Sequence, residues 1–371
     1  MHLGQLGYFN DFLWQVDNKM KFSILIPMYN VERYVGACLD SVLNQTFQDY
    51  EVIIYNDAGT DGSLNICEKF QRKYPDRVRI VSGKTNIGLC LGRIELVKYA
   101  KGEYCVFVDS DDLVTPYLLE NIHDATREDA PDIVMYDMFA HYEFKFMFSY
   151  NRVFHFGHES RLFANEGLEE YYNSLATFQI HAIWRKAFKR EAWNRIEFDD
   201  VSRQIQMGED LYFTLKLMEH IQIIKYIPRA LYYYRCNFGS MTHVFKRNGL
   251  SEKLKVSEYF LKNIQNRRLD TNKLEKQIYQ HVASDTIGYI EAMASRSCRL
   301  GITDREEIYL NIAKEPLIQR LINEKNDLLD DQQKDVIGGI CANNFSKAEE
   351  LIGKNRIHFF IRDILGGLIL K

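Results

Sequence analysis

The sequence has no surplus of basic charge. Its 371 residues carry 47 Lys+Arg against 51 Asp+Glu, a formal net charge of -4. A nucleic-acid binder normally shows a basic stripe and a high isoelectric point, so that class is excluded. No apolar run approaches the roughly 18 residues that a membrane-spanning helix needs. The first twenty residues lack the basic start and continuous apolar stretch of a signal peptide, and they include Asp11 and Asp17. Cysteine is sparse and unpatterned: seven residues, an odd number, with no CxxC spacing. Several fall in apolar periodic segments, where a free thiol behaves as a small hydrophobe. This reads as a reducing compartment with no disulfide framework and no zinc site. Neither G-x-G-x-x-G nor G-x-x-x-x-G-K-[ST] occurs where a phosphate-binding turn would need it, so a phosphate must be held by something other than a glycine nest.

What is present is a folding chain. With 46% apolar and 13% aromatic residues, it is neither a disordered acidic tail nor a scaffold. The length suits two structural units. Phe22 to Pro27, Tyr50 to Tyr55, Arg77 to Val81 and Tyr104 to Val108 are short apolar runs of strand type. Val31 to Leu43, Ser63 to Phe70 and Gly88 to Ala100 lie between them with helical apolar spacing. Alternation at these lengths predicts an α/β fold, its central sheet mostly parallel with helices on both faces. A helix after Thr115-Pro116, a strand over Ile133 to Met138 and a hairpin in the aromatic stretch Tyr142 to Phe156 are expected next. Leu168 to Leu175, Trp184 to Trp193 and Asp210 to His220 are expected as helices, and Ile221 to Tyr234 as a strand pair around Pro228. After residue 248 strand signals fade, and Lys253 to Ile264 and Leu274 to Met293 read as amphipathic helices. The expected division is an extension over 1–20, an α/β domain over 21–248 and a helical region over 249–371.

Ligands of an open parallel sheet sit beyond the carboxyl ends of its strands. Three of the expected strands end in polar groups suited to a nucleotide: Pro27-Met28-Tyr29-Asn30, Asn56-Asp57 and Asp109-Ser110-Asp111-Asp112. Asp109 and Asp111 at the end of a buried strand require a counter-charge. Hard oxygen ligands suit Mg²⁺ or Mn²⁺, which typically use one or two carboxylates plus substrate phosphates. Asp112 has a plainer reading as a cap for the following helix. Gly208-Glu209-Asp210 opens a helix whose dipole favours an ionised Asp210.

These segments, with Ser41-Val42-Leu43-Asn44-Gln45-Thr46, Asn56 to Ser63, Asn86-Ile87-Gly88-Leu89, Trp184-Arg185-Lys186-Ala187-Phe188 and Leu231 to Arg235, resemble the successive signatures of glycosyltransferase family 2. The resemblance covers roughly residues 21 to 245 in order. It implies a GT-A fold and inverting transfer from a nucleotide-sugar donor, expected to be a UDP-sugar. Residue by residue, it implies that Asp57 binds the uracil near Pro27 and Tyr29. Asp109 would face the ribose or the metal, and Asp111 would ligate Mn²⁺ or Mg²⁺. Asp210, paired with Glu209, would be the general base, and Arg235 and Ser240 would contact the diphosphate. Arg93 stands near the place of a basic donor contact, and His243 is a candidate third metal ligand. Two departures stand out: the usual Asn-Asp-Gly-Ser turn is Asn56-Asp57-Ala58-Gly59, and only Gly92-Arg93-Ile94 stands where Ala-Arg-Asn is usual. Met20-Lys21-Phe22 resembles a usual family start, which makes the preceding residues an extension.

The expected partners are the donor and a glycan or lipid-linked acceptor of a bacterial surface polysaccharide, with no nucleic acid; the oligomeric state is not specified. The expected location is cytoplasmic. Two readings are open for Arg356 to Lys371, which places Ile357, Phe360, Ile361, Ile364, Leu365 and Leu368 on one face: packing on the preceding helices, or peripheral contact with the membrane. Two are open for the aromatic stretch, acceptor stacking or ordinary core. Trp184 and Trp193 are expected in the core. Rival functions are a nucleotidyltransferase, which would need a Gly-rich basic loop after the first strand, and a non-catalytic partner subunit that keeps the fold.

Overall fold

The structure, a computed structural model, describes residues 20–143, 149–177, 180–236, 245–265, 267, 269–295, 298 and 300–356. Strand β1 (Phe22–Met28) is followed by helix α1 (Val35–Leu43), β2 (Tyr50–Asn56), α2 (Ser63–Lys73), β3 (Val78–Ser82), α3 (Leu89–Val97) and β4 (Tyr104–Phe107). Every residue of β1, β2 and β4 is buried. That explains why they read as continuous apolar runs rather than alternating ones. β3, β2, β1 and β4 are neighbours in that order and pair in parallel. Their carboxyl ends therefore open on one edge.

The sheet continues through β5 (Leu113–Val114), α4 (Leu118–Asp129), β6 (Ile133–Glu143), β7 (Ser149–Phe154), β8 (Arg161–Ala164), α5 (Gly167–Ala176), β9 (Lys186–Lys189), α6 (Arg190–Asn194), α7 (Glu209–Met218) and β10 (Ile223–Arg235). The full order is β3-β2-β1-β4-β9-β6-β10-β5, with β7 on β6 and β8 on β10. The expected mostly parallel sheet with surrounding helices and a helical C-terminal part is what is observed.

Two local expectations are corrected. Trp184 to Trp193 is not one helix. A short 3-10 turn (Ile183–Arg185) leads into β9, which pairs antiparallel with β4 on one side and β6 on the other. Two available strand edges override the local helical pattern. Ile221 to Tyr234 is not a strand pair. β10 runs unbroken past Pro228, and its register against β6 shifts across that residue, between Ile227 and Ala230, and again between Ala230 and Tyr232. A bulge accommodates the missing N–H. β10 also changes its second partner across the bulge, from β8 at Ile223–Tyr226 to β5 at Tyr232–Tyr233.

The expected hairpin forms from β6 and β7, Met138 pairing with Phe154. Phe144, Phe146 and Phe148 lie outside the described residues. Phe156 packs edge-on against Tyr226, as a core residue does. Helices α8 (Gly249–Gln265) and α9 (Thr271–Ala292) follow, then α10 (Ile302–Lys314), α11 (Pro316–Glu324) and shorter turns. Their buried faces belong to the same apolar cluster as α5, α7 and one face of the sheet. Among the described residues, no helix is long and apolar enough to cross a membrane.

Candidate functional site

A cavity of about 570 Å³ opens at the carboxyl ends of β1, β2 and β4, within the usual size of a small-molecule site. It gathers Pro27, Tyr29, Asp57, Arg93, Asp109, Asp111, Glu209 and Asp210. Five segments separated in sequence thus converge on one space. Ser240, His243 and the stretch after Arg356 lie outside the described residues.

The turn after β2 is shaped by its own side chains. The Asn56 carboxamide oxygen accepts from Gly59 N at 3.1 Å, and that of Asn30 accepts from Thr60 N at 2.8 Å. Ala58 takes φ 55, a left-handed conformation that disfavours a side chain. Asp57 is buried, and its two carboxylate oxygens accept from Ile87 N and Gly88 N, each at 2.8 Å. It therefore fixes the loop ahead of α3, and each oxygen retains a second lone pair for a ligand. Gly88 has φ 85, and a Cβ there would lie 2.3 Å from the Gln206 amide. Gln206 in turn accepts from Leu89 N at 3.1 Å.

Arg93, on α3, is 1% exposed and is the hub of the site. One terminal nitrogen donates to Asp109 at 2.7 Å; the other donates to Asp210 at 2.6 Å and Glu209 at 3.2 Å. Glu209 and Asp210 stand in the first turn of α7, which Gly208 enters at φ 84. The helix N-terminus adds partial positive charge there. Burial raises the Glu209 carboxyl, Asp210's charge raises it further, and Arg93 opposes both; it is pushed up to about 7. Burial also raises Asp109, against the opposing charge of Arg93.

Asp112 does not cap the following helix. Its carboxylate accepts from Tyr232 Oη and from Arg235 N, each at 2.7 Å, tying the acidic turn to β10. The α4 cap residue, Tyr117, makes no side-chain cap bond. Arg235 donates through Nε to the Asp111 carbonyl at 2.7 Å and lies over the Tyr34 ring at 5.2 Å. Five carboxyl groups (Asp109, Asp111, Asp112, Glu209 and Asp210) thus face two guanidinium groups, Arg93 and Arg235. Burial and mutual repulsion raise Asp109, Asp112 and Glu209, so the cluster resists carrying all of its negative charge.

Trp184 is both core and wall. It is mostly buried, stacks on Tyr232 and Tyr234, and lines the cavity. None of the described aromatics between Tyr142 and Phe156 lines it. Sequence reasoning missed His181 and Gln206, which sit in irregular segments just ahead of the Trp184 and Gly208 motifs without belonging to either.

The sequence model of "Glycosyl transferase family 2" matches residues 23–190. Glycosyltransferase GlyA of Streptococcus pneumoniae is 28% identical over 228 residues, 61% of this chain and 32% of that protein. The uncharacterized glycosyltransferase EpsJ of Bacillus subtilis is 30% identical over 239 residues, 62% of this chain and 66% of that protein. The chain thus spans about a third to two thirds of the length of these relatives. The crystal structure of S. aureus TarS 1-349 in complex with UDP superposes with a TM-score of 0.63 and 19% identity, covering 91% of this chain and 92% of that one.

Proposed function

The chain belongs to glycosyltransferase family 2 and has its GT-A fold, and from that premise we propose that it is an inverting glycosyltransferase. It moves a sugar from a nucleotide-sugar donor, a UDP-sugar, to a hydroxyl of a glycan or lipid-linked acceptor in bacterial surface polysaccharide synthesis. One observation carries the reading: the strand-end acids and the Glu209-Asp210 pair line the same cavity. A nucleotide on the strand ends would present its sugar toward α7. Residues 21–248 would carry this chemistry.

In a single displacement the acceptor oxygen attacks the anomeric carbon while the bond to the diphosphate breaks. Asp210 takes the hydroxyl proton, and the diphosphate leaves with the bonding electron pair. Arg93 holds Asp210 in place. Arg235, with Ser240, is the proposed contact for the diphosphate charge. Asp57, Pro27 and Tyr29 are the proposed base-binding group, and the UDP named in the TarS complex carries a uracil.

The donor set fits a divalent cation, Mn²⁺ or Mg²⁺. No group of three His, Cys, Asp or Glu side chains that could hold a metal occurs among the described residues, but such ions often use one or two carboxylates and complete their shell with phosphate and water. The crowding of these carboxyls, which raises Asp109 and Glu209, favours a cation there. Asp111 and the second oxygen of Asp109 would hold it, with His243 as a candidate further ligand. When bound, it would neutralise charge on the leaving diphosphate.

Asp210→Asn should lower transfer by about 100-fold or more while UDP still binds, since it removes the base and spares the donor contacts. Normal turnover in that variant overturns the assignment. Asp111→Ala should abolish Mn²⁺-dependent UDP binding in calorimetry; equal binding with and without Mn²⁺ in both proteins removes the metal from the proposal. We also propose a cytoplasmic location with peripheral membrane contact through residues 356–371. Deleting them should release the protein from the membrane fraction, and persistence there ends that idea.

A further inference from the structure

A second cavity, of about 330 Å³, adjoins the first. The two share His181, Gln206, Glu209 and Asp210. The far wall of the second comes from the helical region, where α8 supplies Lys253, Val256 and Ser257, and α9 supplies His281 and Asp285. The start of α7 is pressed onto α8: a Cβ on Gly208 would lie 3.5 Å from the Val256 methyl. Glu209 and Asp210 therefore form a partition, with the strand-end cavity on one side and the helical one on the other.

The far wall is organised around a carboxylate. Lys253 Nζ lies 2.6 Å from one oxygen of Asp285, and His281 Nε2 lies 3.0 Å from the other. Burial works against the ionised Asp285, but the His281 hydrogen bond and the Lys253 charge more than offset it and hold the carboxyl below its ordinary range. The wall thus offers fixed donors and acceptors beside apolar surface from Val256 and Leu211. A sugar or alditol presents the matching pattern, hydroxyls alternating with C–H faces.

We propose that this second cavity is the acceptor subsite and that it takes a polyhydroxyl unit, a sugar ring or an alditol, which Asp285, Lys253 and His281 orient toward Asp210. The inference rests on the glycosyltransferase reading and gives the helical region a part in it. The attacking hydroxyl enters from the helical side and the donor from the strand side. The new bond joins the acceptor oxygen to the anomeric carbon, the bond from that carbon to the diphosphate oxygen breaks, and the proton passes to Asp210. A route through the donor cavity would instead require both substrates to share one opening.

The test measures UDP-sugar consumption by the full chain with Mn²⁺, alone and with methyl glycosides of glucose, galactose and N-acetylglucosamine, or with ribitol. At least one of these should accelerate consumption by the wild-type protein. With that compound, Asp285→Asn and Lys253→Met should each raise the acceptor KM about tenfold, the scale of one lost hydrogen bond to a charged group, with kcat changed far less. UDP affinity separates loss of the acceptor wall from misfolding. Unchanged acceptor KM in both variants overturns the subsite, and so does acceleration by none of the four compounds. A wild-type chain that neither binds UDP nor consumes any UDP-sugar would instead defeat the underlying reading.

Discussion

Arg93 and Asp210 are joined by an ion pair of 2.6 Å, and the same guanidinium reaches Asp109 at 2.7 Å. The side chain proposed as base and the acid at the end of β4 are thus set by one buried cation. A direct donor contact and this clamp predict different kinetics. If Arg93 acts through Asp210, Arg93→Lys should lower kcat by roughly 100-fold with little change in UDP affinity, because an ammonium cannot bridge three carboxylates as a planar fork does. If it grips the diphosphate, UDP affinity falls instead. Arg93→Met leaves the carboxylates without their counter-charge and should cost about 3 kcal/mol or more in urea denaturation.

The raised carboxyl of Glu209 gives stability a pH signature. Its folded pKa, about 7, lies above the roughly 4.3 of a free glutamate. Between those values the native state holds a proton that the unfolded state has released, so stability falls as pH rises through that window. The charged groups that set this value are Asp210 beside it, Arg93 on α3 and Asp109 after β4. Glu209→Gln cannot titrate and keeps an oxygen for Arg93. Its urea midpoint, measured without divalent cations, should match the wild type near pH 5 and exceed it near pH 8. A difference that does not vary with pH would contradict the burial argument.

The strands β1, β2 and β4 were legible because both their faces are buried, which writes an unbroken apolar run into the sequence. Asp57, Asp109 and Asp111 were legible for a related reason: each follows such a run closely, which places it at the carboxyl end of a strand, where the cavity opens. β9 was not, because four residues reading Lys-Ala-Phe-Lys become a strand only when β4 and β6 offer both edges. The cap role expected of Asp112 failed similarly, since its partners Tyr232 and Arg235 lie more than a hundred residues on. The second cavity had no signature at all, because Lys253, His281 and Asp285 sit in ordinary amphipathic helices.

Ala58 marks a local cost that the sequence exposes. The family turn resembled here carries its glycine one place earlier, and this chain instead holds an alanine at φ 55. Ala58→Gly should raise stability by roughly 1 kcal/mol, after allowing for the extra freedom glycine gives the unfolded chain. Gly59→Ala should act in the opposite direction, since its Cβ would lie 3.2 Å from the side-chain oxygens of both Asn30 and Asn56. Paired urea titrations check both signs, and a loss of stability in Ala58→Gly would refute the strain.

Lys186 is fully buried in β9, and its amine donates to the carbonyls of Ile180 at 2.5 Å and Ala182 at 2.7 Å. Those bonds hold the segment that brings His181 and Ala182 to the cavity wall. Burial, with the nearby Arg185 charge, pushes the amine well below an ordinary lysine. Burial favours the neutral amine, whose N–H groups the two carbonyls receive. Lys186→Met keeps the length and removes both donors, leaving two buried carbonyls unpaired, so it should cost about 1–3 kcal/mol and weaken UDP binding by loosening the wall. The sign with pH also follows. Because the folded pKa lies below that of the unfolded lysine, roughly 10.4, the unfolded state binds the extra proton, and wild-type stability rises with pH up to that value. The wild-type advantage over Lys186→Met should therefore widen from pH 7 to pH 10 in urea titrations, whereas a lysine that stayed charged in the fold would show no widening.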